Sequence, residues 1–326
     1  MNSVRNNIPR SAINILSASK TLGKFDSFYI SKQNQSRATG FLKYVVANTV
    51  LNSFKAYCNF KKNLDGKKPV QQVFPKDTVI LYQFPRARYT PSLSPFCLKL
   101  ETWCRAANVK YQNKLGLELS KRGTVPFIRL NDYVVEDSEK CIEYLSKVYQ
   151  VDLNSGLNEE QKAVARATLA LVEDSLKWSV ILHRFWYSNM KKQESGLPLL
   201  TIWLFSYKMF RAGWFSGYGR YSKQEIYERG KRDLNALDNL IGNKKFLFSD
   251  EKPCNVDISI FSMCAQIKYN DRGPLNQHLL NECHNVNRHI ETIKSMYWSD
   301  WDQNIMATRI PKKKPLVQKV LSLFRK

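Results

Sequence analysis

The sequence predicts an α/β domain followed by an all-α domain. Three observations carry that reading. First, a β-branched run, Thr78-Val79-Ile80-Leu81-Tyr82, leads into helical spacing of Phe96, Leu100, Trp103 and Ala107, and then into two short strand-like runs at Phe127–Leu130 and 133–135. Second, residues 159 to about 301 carry helical periodicity throughout. Third, a linker at 151–158 separates the two regimes.

Taken in order, the first helix opens at Ser94-Pro95, a serine N-cap followed by proline in the first turn. A group placed there meets the positive end of the helix dipole and free N–H donors, where a thiolate is best stabilised. Val125-Pro126 comes next. A proline has no N–H for a sheet ladder, so it belongs at a strand entry or bend. A cis bond at that position would turn the Val125 backbone outward, towards a bound peptide. Asp137-Ser138 then precedes the helical pattern Ile142, Leu145, Val148 and Tyr149. A helix N-terminus with Asp and Ser suits an α-amino group and an α-carboxylate together.

In the second domain, Ala163, Ala167, Ala170, Leu171, Asp174 and Trp178 trace a helix reaching about Tyr187. The run LLTIWLFSYKMF at 199–210 is intensely apolar but too short to span a membrane, so it predicts a buried or interfacial helix. Ser222 with Glu225 forms a capping-box pattern, and the helix behind it runs through Ile226, Leu234 and Leu237 to a stop at Gly242. Val256-Asp257-Ile258, after Pro253, starts a further buried helix.

The chain has 326 residues, enough for two modest domains. Its seven cysteines are scattered and unpatterned, which argues for a reducing compartment and against a disulfide framework or zinc cage. Cys283, His284 and His289 lie near one another, without a paired ligand motif. The formal net charge is +23. Residues 1–76 contribute +11 and residues 303–326 contribute +7, leaving only +5 on the body. A nucleic-acid binder wants its basic face on the folded module, so that partner is not expected. Charged ends suit an anionic membrane surface or a targeting receptor.

The leader, 1–76, has the composition of a mitochondrial presequence and also that of a disordered basic segment. The patchy apolar stretch 41–57 within it is too broken to span a bilayer. The tail, 303–326, reads as a basic amphipathic helix favouring anionic lipid, or as a solvated basic end.

The three pieces of the first domain, in this order and spacing, resemble the N-terminal domain of the glutathione transferase superfamily. Ser94-Pro95-Phe96 falls on the Cys-Pro-Phe/Tyr of cysteine-type relatives, Val125-Pro126 on the cis-proline, and Asp137-Ser138 on the acidic-Ser pair. The second domain sharpens the resemblance. Gly219-Arg220-Tyr221-Ser222, Gly230-Lys231-Arg232-Asp233-Leu234, Lys245-Phe246-Leu247-Phe248 and Tyr297-Trp298-Ser299-Asp300-Trp301 occur in one order. Together these are similar to the failed axon connections family, related to nematode cadmium-responsive proteins and more distantly to metaxins. The resemblance covers about residues 77–302.

It implies a thioredoxin-like domain at 77–150 and a transferase-type helical domain at 158–302, with glutathione as co-substrate. Ser94 would stabilise the thiolate, the Val125 backbone beside Pro126 would pair with the cysteinyl unit, and Asp137 and Ser138 would hold the γ-glutamyl group. Tyr82 and Tyr89 are rival hydroxyl donors, and Lys121 and Arg122 are candidates for the glycine carboxylate or a solvated loop. Cys97 and Cys104 read as packing residues. Asp257 falls on the family's buried capping acid, and with Cys254 at the other corner half of that box is expected to be absent. The aromatic segment 191–219 is expected to fill the cleft for an electrophile or to meet a membrane or partner. The implied biology is axon development or metal-stress response by a cytoplasmic, membrane-associated protein, and family members of this fold are often homodimers. The alternative is a non-catalytic, metaxin-like scaffold at an organelle membrane, which would make the chain mitochondrial.

Overall fold

A computed structural model describes residues 75–188 and 199–306. The basic leader up to residue 74, residues 189–198 of the aromatic segment and the basic tail from residue 307 lie outside the described residues.

Four strands form one sheet in the order β2-β1-β3-β4: β1 Val79–Gln83, β2 Tyr111–Leu115, β3 Phe127–Leu130 and β4 Tyr133–Glu136. β1 runs parallel to β2, with Val79 opposite Tyr111, and antiparallel to β3, with Leu81 opposite Ile128. The parallel pair needs a crossover, and helix α1, Pro95–Ala106, supplies it. Helix α2, Ser138–Tyr149, follows β4.

Alternation divides the sheet residues between its two faces. Val79, Leu81, Ile128 and Leu130 meet Leu100 and Trp103 of α1 and Ile142 and Leu145 of α2 in one apolar core. Ile80, Tyr82 and Phe127 cluster on the opposite face beside Val125. The first strand lies one residue later than its β-branched run predicts, because Gln83 continues the ladder opposite Leu115.

The helical domain begins at α3, Glu159–Ala170, closed by a reciprocal Asn158–Gln161 capping box. Its axis continues through a π-helical turn, Leu171–Leu176, into α4, Lys177–Leu182, and a second π-helical turn, His183–Tyr187. This is the single long helix that the apolar spacing predicts, ending where expected.

Helix α5, Leu199–Phe215, realises the apolar run. No helix among the described residues is long and apolar enough to cross a membrane. Helix α6, Lys223–Ile241, has its Ser222–Glu225 box closed on both sides and stops at Gly242, whose φ of 55° a side chain would resist. Helices α7, Asn255–Ala265, α8, Pro274–Glu282, and α9, His284–Tyr297, complete the domain.

Helix α7 is the spine of the molecule, buried from Val256 to Ala265. Its Ile258 belongs to the core of the sheet domain. Trp103 of α1 donates its indole N–H to Asn255 at 2.9 Å, and Trp298 donates to Thr102 Oγ1 at 2.9 Å, so α1 is bonded directly to the helical domain.

At the start of α7 the structure corrects one expectation. The capping box is closed, with the Cys254 sulfur standing where a hydroxyl was expected to be missing. Asp257 accepts from the Cys254 amide at 2.9 Å and the Cys254 thiol at 3.1 Å, and also from the Leu247 amide at 2.8 Å. His289 Nε2 lies 2.9 Å from the same carboxylate, so His289 is tied to Asp257.

Candidate functional site

Three chain segments carry the residues singled out by the sequence. Ser94 is the N-cap of α1 and accepts from the Cys97 amide at a long 3.4 Å, with Pro95 in the first turn. Its side chain is half-buried rather than enclosed. The Val125-Pro126 bond is cis. Pro126 is buried and Val125 half-buried, and the Val125 amide and carbonyl make no hydrogen bond among the described residues. Asp137 is the N-cap of α2, with φ 82°, and one carboxylate oxygen accepts from the Glu139 and Lys140 amides at 3.0 and 3.4 Å. Ser138, the first residue of α2, is buried.

Several rivals fall away on geometry. Tyr82 lies on the sheet face opposite α1, stacked on Phe127 at 4.2 Å, with the Lys114 ammonium 4.8 Å from its ring. The Tyr89 ring meets Arg88 and Arg272 instead of turning towards the α1 N-terminus. Gln83 points inward, donating to Glu101 at 2.6 Å. Lys121 and Arg122 are exposed, and their backbone amides donate to the Glu136 carboxylate, which pins the loop before Val125.

Cys97 sits one turn into α1 with no exposed surface. Burial pushes its thiol pKa up to about 12 despite hydrogen bonding from Ser94, so it is not a thiolate at neutral pH. Cys104 is pushed up by burial as well, and all six described cysteines are free and buried.

Sequence reasoning missed two charged groups behind the site. Lys99, fully buried in α1, pairs with Glu139 in the first turn of α2 and with Glu173 of the long helix at 2.6 Å. Burial raises the Glu173 pKa, and Lys99 offsets part of that rise. This amine therefore fixes the two helices beside Asp137 to α1. On the other side of α1, Glu101 is gripped by Arg86. Apolar periodicity could not reveal either group, because Lys99 and Glu101 occupy positions that read as the polar face of a helix.

Helix α5 lies against both sides of the site. Phe205 packs edge-on to Phe84, just beyond β1, at 6.0 Å and to Phe185 at 5.0 Å. Lys208 reaches the Gly123 carbonyl, two residues before Val125, at 3.3 Å. Phe210 stacks on Trp186 at 3.8 Å. The aromatic segment thus forms a wall connecting the β1 end to the loop before Pro126.

Residues 95–191 match the family model for the glutathione S-transferase N-terminal domain, and residues 230–293 match that for the glutathione S-transferase C-terminal domain. Helix α5 falls between the two matched regions. The protein Failed axon connections of Drosophila melanogaster is 36% identical over 270 residues, 74% of this chain and 64% of the relative. The chain is similar to Failed axon connections over 74% of its own length. It spans less than two thirds of that Drosophila relative's length.

More distant similarity places the chain beside two other groups. The isoprene-epoxide glutathione S-transferase of a Rhodococcus strain is 24% identical, covering 67% of this chain and 99% of that protein. Mouse metaxin-1 is 26% identical, covering 68% of the chain and 76% of metaxin-1. A beta-etherase from Sphingobium shares the fold at a TM-score of 0.50 and 15% identity, over 68% of this chain and 98% of the etherase. The thioredoxin-like sheet followed by a helical domain is therefore the glutathione transferase fold.

Proposed function

We propose that this chain binds glutathione between the start of α1, the Val125 backbone and the start of α2. The observation that supports the reading is the Val125 backbone, unpaired among the described residues and flanked by two capped helix N-termini. In that pose Val125 pairs with the cysteinyl unit as a short strand edge. The Asp137 oxygen not used in capping accepts from the α-amino group, and the α2 N-terminus at Ser138 receives the α-carboxylate. The Ser94 hydroxyl donates to the sulfur and favours its thiolate, the thiol proton passing to solvent; the thiolate then attacks an electrophilic carbon, forming the C–S bond as the leaving group departs with its bonding electron pair.

The α5 wall narrows the space for that electrophile, which supports a specialised or residual transferase over a general one. The name of the Drosophila relative supports a role in forming axon connections.

The deciding experiment is calorimetric titration of glutathione into the full chain, with Asp137→Ala beside it. Saturable heat abolished by Asp137→Ala supports the reading. No heat up to about 10 mM, less than roughly 3 kcal/mol of binding, overturns it.

A second reading, a non-catalytic scaffold at an organelle membrane, draws on the similarity to metaxin-1 and on the basic ends. Flotation of the full chain with anionic vesicles, lost on deleting 312–326, is its expected outcome. Equal flotation of both forms removes it.

A further inference from the structure

The end of α5 presents aromatic rings to solvent. Phe215, its last residue, is 72% exposed, and Trp214 and Trp186 are 40% and 44% exposed. They belong to one continuous surface. Trp186, in the second π-helical turn, stacks on Phe210 at 3.8 Å, and Phe210 meets Trp214 at 6.4 Å. The chain then turns back tightly. Gly217 has φ 90°, and a Cβ on Gly219 would lie 2.7 Å from the Trp214 amide nitrogen. Single exposed apolar side chains are ordinary, whereas neighbouring large rings held in the open mark a contact face.

The charges in this stretch have one sign. Between 199 and 224 the chain carries Lys208, Arg211, Arg220 and Lys223 and no Asp or Glu. Arg211 lies over the Phe215 ring at 5.4 Å, and Arg229 of α6 over the Tyr221 ring at 4.0 Å. Glu225, the next acid along the chain, is turned into its capping box and accepts from the Ser222 amide at 2.7 Å. The stretch also lies outside what either transferase-domain model describes, since those match 95–191 and 230–293.

We propose that the α5 tip docks on an anionic bilayer surface. Phe215 and Trp214 enter the boundary between headgroups and acyl chains, and Arg211 and Arg220 face lipid phosphates. Aromatic rings beside cations are the composition of an interfacial anchor. Two observations favour lipid over an acidic protein. A ring as exposed as Phe215 projects instead of lining a groove for a peptide. The whole chain carries +23, so an anionic leaflet attracts it at long range. This inference rests on the membrane reading above and gives it a contact: the basic ends supply attraction, and the tip supplies the apolar second signal that stable anchoring needs.

The test floats the full chain with vesicles of phosphatidylcholine and phosphatidylserine and follows its tryptophan emission when the acyl chains are brominated, which quenches inserted indoles. Neither basic end contains a tryptophan, so quenching reports the folded part. Flotation with quenching is expected. Phe215→Ser is expected to weaken vesicle binding at least about fivefold, with thermal unfolding unchanged, and Phe215→Leu to keep most of it. The Trp186→Phe/Trp214→Phe double variant retains apolar rings, so it is expected to float as the parent does while losing most of the quenching. Flotation without quenching, equal binding by Phe215→Ser and the parent, or full quenching of the double variant overturns the proposal and leaves the membrane reading standing. Absence of flotation by the full chain overturns both. Binding of polyglutamate that Phe215→Ser loses, with no vesicle binding, overturns the lipid assignment in favour of an acidic protein. Should Phe215→Ser fail to fold, the quenching comparison decides.

Discussion

Arg86 holds Glu101 with both arms of its guanidinium, Nη1 to Oε2 at 2.7 Å and Nη2 to Oε1 at 2.9 Å. Glu101 has no exposed surface. Burial alone would raise its pKa, but Arg86, with Gln83 and Asn113, outweighs that and keeps it below the ordinary carboxylate range. The carboxylate lies on α1 and the guanidinium in the loop after β1, so the pair locks the helix that presents Ser94 to the strand before it.

Removing the guanidinium leaves a buried charge without its partner. Arg86→Leu is expected to cost about 3–5 kcal/mol. Glu101→Gln in the Arg86→Leu background should recover part of that loss, because the stranded charge is gone. Urea unfolding of the three forms measures it, and a double variant no more stable than Arg86→Leu would refute the account.

His183 gives the fold a pH dependence of definite sign. Its ring is buried, with Nδ1 2.9 Å from the Tyr227 hydroxyl. Burial lowers its pKa from the ordinary 6.5, against a smaller opposing pull from Asp271. The folded state thus takes up the proton later than the unfolded chain. The stability held by the neutral ring is complete above 6.5 and is lost as pH falls from there through the folded-state pKa. His183→Gln should show a flatter stability profile between about pH 7 and 5, read from unfolding midpoints at each pH. Parallel profiles for the two proteins would exclude His183 as the cause.

Gly230 marks a close crossing of helices. A Cβ built there would lie 2.8 Å from Leu275 Cδ2 and 2.9 Å from the Ser179 Cβ, so α6 meets both α8 and α4 too closely for any side chain. Gly230→Ala gains helix propensity but overpacks the crossing, and the net expectation is a loss of about 1–3 kcal/mol. Thermal unfolding checks it, and a stabilised variant would mean that the crossing relaxes freely.

Phe205 tests the wall over the candidate site. Phe205→Ala removes the ring between Phe84 and Phe185 and opens the side where an electrophile would approach. If glutathione binds as proposed, conjugation of 1-chloro-2,4-dinitrobenzene should rise at least severalfold over the parent chain, and Ser94→Ala in the same background should abolish the gain. An unchanged rate would place the limit elsewhere than at α5.

Much of this molecule was legible before any coordinates. The strand runs at 78–82 and 127–130, the Ser222–Glu225 box and the Gly242 stop are local signals, set by side-chain period, capping chemistry and backbone sterics within a few residues. They were enough to predict the fold class. Ser94, Val125, Pro126, Asp137 and Ser138 were singled out as candidates the same way, as residue types at helix starts and a strand entry.

Only tertiary structure decided what surrounds them. Lys99 and Glu101 read as ordinary polar helix positions, yet the partners of Lys99 come from 40 and 74 residues away along the chain and Arg86 lies 15 residues from Glu101, and each is buried because other elements close over it. Tyr89 read as a rival hydroxyl donor to Ser94, and its ring instead meets Arg272, far along the sequence. Cys254 read as a gap in a capping box, and the fold brought its thiol to Asp257. Local patterns encode φ, ψ and which face of an element is apolar. Ion pairing, cavity lining and the placing of α5 against Gly123 depend on distances between segments remote in sequence, and no window along the chain contains those distances.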